Sequence, residues 1–213
     1  MEGKVIYLLA LVAIVQFTYP VTAMGTVALI LYELLYASMI VTGVIVGRDS
    51  RRHMIFLGIT GFVYLAASLI YASNPGATWA VLLTYLALIP YLGMLVSILG
   101  RFLVIAKTIT RDVLYAAVTL YLLMGAVFVP VYGLLDLLTP GSVRDGSFPN
   151  GPVAWQQLVY FSYTTLTSSG YGDVLPISWW ARSMANLEMV AGVLFITIVM
   201  SRLVALYNNK EAV

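Results

Sequence analysis

Thr164-Thr165-Leu166-Thr167-Ser168-Ser169-Gly170-Tyr171-Gly172-Asp173 lies between two long apolar runs, Val113 to Leu138 and Ala181 to Tyr207. The stretch is rich in hydroxyls, holds two closely spaced glycines and ends on a carboxylate. Backbone of this kind cannot cross hydrocarbon in extended form, because its N–H and C=O groups find no partners there; it is tolerated where it is buried in protein or lines a water-filled axis. Carbonyls turned towards such an axis can replace the hydration shell of a cation.

The surrounding composition is that of an integral membrane protein. Of 213 residues, 62% are hydrophobic and 9% charged, against about 25% charged in soluble domains. At about 20 apolar residues per spanning helix, the chain has room for about six spans and almost no soluble domain. Apolar runs predict spans near Val5 to Tyr19, Thr22 to Val46, His53 to Ser73, Thr78 to Leu99, Val113 to Leu138 and Ala181 to Tyr207. The first boundary is the weakest, marked only by Thr18-Tyr19-Pro20 and Gly25; a cleaved signal peptide ending at Val21-Thr22-Ala23 competes with the retained helix preferred here. The chain has no cysteine, which excludes disulfides, a thiol nucleophile and cysteine-ligated metal. Its one histidine, His53, follows Arg51 and Arg52 at the edge of a span and reads as an interfacial residue. The net charge of +2 says nothing about nucleic acid, and no nucleic-acid partner is expected of a chain of this class. No cluster of His, Cys or paired carboxylates suggests an enzyme.

Loops rich in Lys and Arg stay cytoplasmic. With the N-terminus inside, Lys4, Arg48, Arg51, Arg52, Arg101, Lys107, Arg111, Arg202 and Lys210 all fall on the inner side, and only Arg144 and Arg182 fall outside. Both termini are then expected in the cytoplasm of a multi-pass cell-membrane protein. The tryptophans, Trp79, Trp155, Trp179 and Trp180, come to the outer interface, where indoles are favoured. From Thr139 to Pro152 the chain reads as an exposed turret rich in Gly, Pro, Asp and Ser. The helix expected next, over 153–166, is roughly 21 Å long at 1.5 Å per residue, too short for a core of about 30 Å. It must enter the membrane and return.

A helix of re-entrant length, hydroxyl residues, Gly170-Tyr171-Gly172-Asp173, Pro176 and a last span together resemble the pore of tetrameric potassium channels, over roughly Val113 to Tyr207. The whole chain is similar to small bacterial six-span members of that superfamily. The resemblance implies an all-α membrane fold and a filter at 168–172, preceded by Thr167. There the carbonyls of Ser168, Ser169, Gly170 and Tyr171, with the Ser168 hydroxyl, hold potassium ions; no organic cofactor is implied. Each chain supplies one loop, so three identical subunits are the implied partners in a four-fold homotetramer. Gly170 and Gly172 permit the positive φ that inward-facing carbonyls need. Asp173 belongs at the outer mouth, where carboxylates concentrate cations.

The filter departs from the family in its support. The usual Thr-Val before Gly-Tyr-Gly is Ser168-Ser169, which drops a methyl at the first position and replaces apolar packing by a hydroxyl in need of a partner at the second. The carboxylate that many relatives carry four residues before the first filter hydroxyl is Thr164. The aromatic pair on the pore helix is Tyr160 and Phe161, and phenylalanine cannot donate a hydrogen bond. These changes predict a less rigid filter, with relaxed potassium-over-sodium discrimination as the alternative to a tightly selective channel. Gly192 stands twenty residues after Gly172, where relatives carry a hinge glycine; close packing against the pore helix is the competing reading.

The resemblance divides the chain into a four-helix region over 1–100 in the position of a voltage sensor, an amphipathic inner linker over 101–111, and a pore region over 112–208. The fourth span has no basic residue between Thr78 and Gly100, so it carries no gating charge of its own. Glu33 is the acidic residue deep in the first four spans, expected to be protonated or else bonded to Thr84 or Tyr85, with a structural role favoured over proton or ligand sensing. Glu188 is expected to hydrogen-bond behind the pore helix, and Arg202 to snorkel to the headgroups. No soluble ligand-binding domain is expected, which leaves gating to the membrane or the filter, with lipid, tension, pH and weak voltage dependence all open.

Overall fold

The computed structural model describes residues 3–74, 77–147 and 153–211. Residues 148–152 of the predicted turret lie outside the described residues. Among the described residues, five helices are long and apolar enough to cross a membrane: α2 (Thr26–Val46, continued by a 3-10 turn at Gly47–Asp49), α3 (Arg51–Ser73), α4 (Thr78–Ile105), α5 (Arg111–Leu138) and α7 (Trp179–Glu211). A multi-pass helical membrane protein follows from their length and composition.

The first expected span differs. Helix α1 (Val5–Phe17) has 13 residues, or about 20 Å, short of a hydrocarbon core of about 30 Å. It stops because the Thr18 hydroxyl turns back onto the Ile14 carbonyl (2.7 Å) and Pro20 opens a 3-10 segment, Tyr19–Met24. Gly25, at φ 125°, then reverses the chain into α2. Helix α1 packs against α5 as well as α2. The Gly3 amide donates to Asp112 at the start of α5 (3.1 Å), and the Tyr32 hydroxyl donates to the Val15 carbonyl (3.2 Å). The first helix is therefore attached to α5 as much as to α2, which follows it.

Helices α2, α3 and α4 close around aromatic side chains. Tyr36 and Tyr64 stack at 4.9 Å, and the buried Tyr91 hydroxyl donates to the Ile40 carbonyl (2.9 Å), using a helical acceptor where no water is available. Helix α4 packs on α3 and on α5. It runs on through Arg101 to Ile105, so the 101–111 segment is divided: its first residues extend α4, Ala106–Thr110 make the connection, and Arg111 opens α5. Thr110 caps α5 by accepting from the Val113 amide (3.3 Å), with Asp112 in the first turn facing the positive end of the helix dipole.

Two short strands flank α6 in sequence. β1 (Val143–Asp145) pairs antiparallel with β2 (Val174–Pro176), with Arg144 opposite Leu175. Between these strands in sequence lies α6 (Trp155–Leu166). A second apolar core of Tyr132, Leu158, Phe161, Val174, Ala181 and Ala185 joins α5, α6, β2 and α7 beneath this sheet. The far face of α7 is uncovered: Leu187, Val190, Val193, Leu194 and Ile198 are exposed.

Candidate ion-conduction site

Helix α6 buries Leu158, Val159, Phe161, Ser162, Thr165 and Leu166 on one face. Its 12 residues span about 18 Å, shorter than a hydrocarbon core of about 30 Å. Trp155 at its outer end rests on Tyr32 (5.5 Å) and Tyr19 (6.4 Å), and Gln156 donates to Thr22 (3.1 Å). The 3-10 segment after α1 therefore fixes where α6 begins.

The loop beyond α6 alternates in backbone hand. Ser168, Gly170 and Gly172 have φ of 58°, 48° and 84°. The two glycines reach this region without steric cost, whereas Ser168 is the one described non-glycine residue with positive φ, which costs about 1–2 kcal/mol. Residues 167–173 are all exposed, so one side of the loop has no covering from its own chain.

Both ends of the loop are held. At the inner end the Thr164 carbonyl accepts from the Ser169 amide (2.8 Å) and the Gly170 amide (3.2 Å). The Thr167 hydroxyl donates to the Tyr163 carbonyl (2.8 Å) and accepts from the Ser169 hydroxyl (3.0 Å), which supplies the partner that Ser169 needs. At the outer end the Asp173 carbonyl accepts from the Gly146 amide (2.6 Å). The Asp173 carboxylate accepts from Tyr160 (2.8 Å) and from the Val174 amide (3.0 Å). Tyr160 also stacks on Tyr171, with ring planes 10° apart at 6.2 Å. A side chain at Gly146 would begin 3.0 Å from the Asp173 carbonyl oxygen, so glycine allows this approach.

Thr167, Ser168, Ser169, Gly170, Tyr171, Gly172 and Asp173 thus stand together on one exposed loop. Of the expected supports, Tyr160 carries the donor to Asp173. Thr164 acts through its backbone, its hydroxyl being turned onto the Phe161 carbonyl (3.0 Å). Phe161 is buried edge-on against Tyr132 (4.8 Å, 62°) and contributes packing alone.

Glu188 of α7 is fully buried, with Tyr132 of α5 donating to it (2.6 Å) and Ser162 of α6 at 2.5 Å. Gly192 sits where α7 crosses the end of α6: a Cβ there would overlap the Leu166 carbonyl oxygen and lie 3.1 Å from the carbonyl carbon. Close packing is therefore its visible role, within a helix that runs unbroken past it.

Two expectations are corrected. Glu33 lies beside Ser68 and the Tyr36–Tyr64 pair, while the Thr84 hydroxyl bonds the Ala80 carbonyl and Tyr85 fills the space over Gly133. Arg202 turns inward to donate to the carbonyls of Val104 and Ala106 at the end of α4, which lack helical partners. Ser162, Tyr132 and Gly146 were not legible as site residues. Ser162 offered one signal, a hydroxyl on the otherwise apolar face of α6.

A family model described as an ion channel matches residues 116–209. No curated protein and no solved structure matches the chain. The matched residues hold α6, the loop, α7 and most of α5. Sequence similarity and site geometry meet on this part of the chain, which supports an ion channel.

Proposed function

We propose that four copies of this chain assemble around the 168–172 loop into a channel of the cell membrane that passes potassium passively, with both termini in the cytoplasm. The observation that carries this reading is the exposed, hand-alternating loop at the tip of a re-entrant helix, anchored at both ends. Successive carbonyls of Ser168, Ser169, Gly170 and Tyr171 complete oxygen rings only when neighbouring loops face them. The uncovered apolar face of α7 is the surface that neighbouring subunits and lipid cover in this reading. The C-terminal end of α6 points its partial negative charge towards the inner cavity, which favours a cation there. Asp173, tied to Tyr160, adds negative charge at the mouth while bracing it.

The second reading is a channel of the same architecture that also passes sodium. It is favoured by the hydroxyl pair Thr167–Ser169, which stands where apolar packing is usual. Flux from purified protein in liposomes under opposed potassium and sodium gradients, with barium as blocker, separates the readings. Barium-sensitive potassium flux with little sodium flux is the expected result, and comparable sodium flux selects the second reading. Absence of both fluxes rejects conduction by this chain alone. If Ser169→Val sharpens discrimination, the hydroxyl pair is the cause of relaxed selectivity.

A further inference from the structure

Glu188, Ser162, Tyr132 and the Gly125 carbonyl form a chain of short oxygen–oxygen contacts behind the loop. Tyr132 Oη to Glu188 Oε2 is 2.6 Å, Ser162 Oγ to Glu188 Oε1 is 2.5 Å, and Ser162 Oγ to the Gly125 carbonyl oxygen is 2.7 Å. Each of these contacts needs a proton between its oxygens. Tyr132 and Ser162 bring one proton each, and a carbonyl brings none. With Glu188 ionised there are two protons for three contacts. Either the Ser162–Gly125 pair or the Ser162–Glu188 pair then sets two lone pairs against each other.

A proton on Glu188 Oε1 resolves the count. Glu188 then donates to Ser162, Ser162 donates to Gly125, and Tyr132 donates to Glu188. Glu188 and Ser162 are fully buried. The ionisable groups facing the carboxyl are phenols, Tyr132 and Tyr121 of α5 and Tyr163 of α6, with no Lys, Arg or His paired to it among the described residues. An uncompensated carboxylate in such a site is costly.

We propose that Glu188 is a positioning residue that stays protonated in the folded protein and, through the chain Glu188 to Ser162 to Gly125, locks α6 to α5 and α7 behind the loop. Its role in placing the filter rests on the conduction reading above; its protonation does not.

Infrared difference spectra of the full-length protein in detergent at neutral pH, wild type against Glu188→Gln, test the protonation. The expected result is loss of a protonated-carboxyl stretch in Glu188→Gln, and a shift of that band in Ser162→Ala, where its acceptor is gone. Loss of an ionised-carboxylate band instead overturns the proposal. Glutamine can donate to Ser162 and accept from Tyr132, so Glu188→Gln should keep the thermal midpoint, whereas Glu188→Ala should lower the folded-to-unfolded ratio roughly tenfold or more. If Glu188→Gln loses as much as Glu188→Ala, the neutral chain is wrong. In liposomes the potassium-to-sodium flux ratio should fall in Glu188→Ala and be rescued in Glu188→Gln. Absence of flux in the wild type, with the carboxyl band present, rejects the channel reading and leaves the proton in place.

Discussion

Gly192→Ala separates a packing glycine from a hinge glycine by the sign of its effect. A hinge position gains stability on substitution, because alanine is favoured over glycine inside a helix by about 1 kcal/mol. The packing seen here predicts the reverse. The new methyl would overlap the Leu166 carbonyl oxygen, with the carbonyl carbon and Leu166 Cδ1 both at 3.1 Å. Overpacking of this kind costs about 1–3 kcal/mol. The obstacle is backbone at the end of α6 and cannot turn aside as a side chain can, so the upper end applies. Net of the helical gain, the loss is about 2 kcal/mol, or roughly thirtyfold in the folded-to-unfolded ratio. The assay is thermal inactivation of purified protein in detergent, followed as the fraction that stays monodisperse. Leu166→Ala removes Cδ1 but not the carbonyl, so the double variant Leu166→Ala/Gly192→Ala should stay destabilised. Gly133→Ala gives the contrast: its obstacle is the Tyr85 ring, 2.5–2.7 Å from the new methyl, and Tyr85→Leu should relieve it. An unchanged or raised midpoint for Gly192→Ala would refute the packing account.

Tyr160→Phe removes the donor to Asp173, worth about 1 kcal/mol; the potassium-to-sodium flux ratio in liposomes should fall roughly fivefold, with Tyr160→Trp, which keeps an N–H donor, falling less. Ser168→Thr places a β-branched residue at φ 58° and should lower the thermal midpoint, while Ser168→Gly should raise it, the two differing by about 1–2 kcal/mol or more. Gly172→Ala, at φ 84°, should abolish selective flux without dispersing the protein on size-exclusion chromatography. Arg202→Met leaves the Val104 and Ala106 carbonyls without their donor, and amide exchange at the end of α4 should accelerate roughly tenfold.

The pore side of the fold could be read in the sequence because its signals are local. A short helix was expected over 153–166, and α6 begins at Trp155 and ends at Leu166. The resemblance implied positive φ at Gly170 and Gly172, and both have it. What remained hidden was which helix faces which. In a membrane the lipid and the protein interior are equally apolar, so a span such as α3 carries no stripe to announce its partner. The docking of α1 on α5 was hidden for this reason. Arg202 was misread because a cation at an inner helix end satisfies headgroups and helix carbonyls equally well, and only the position of Val104 and Ala106 decides between them. The partner of Ser169 was hidden for another reason: it lies two residues away and becomes available only once Ser168 turns left-handed.

The two sets of bonds on the loop act as abutments, and the backbone between them is a suspended span. Upstream it rests on the Thr164 carbonyl, downstream on Gly146 and the β1–β2 pair. Among the described residues, the amides of Tyr171 and Gly172 make no backbone hydrogen bond within the chain. The fold thus sets where the span is fastened and leaves its middle without backbone bonds to its own chain. Changing the length of chain that follows Gly146 therefore retunes the tension of the span without altering a residue of the loop itself.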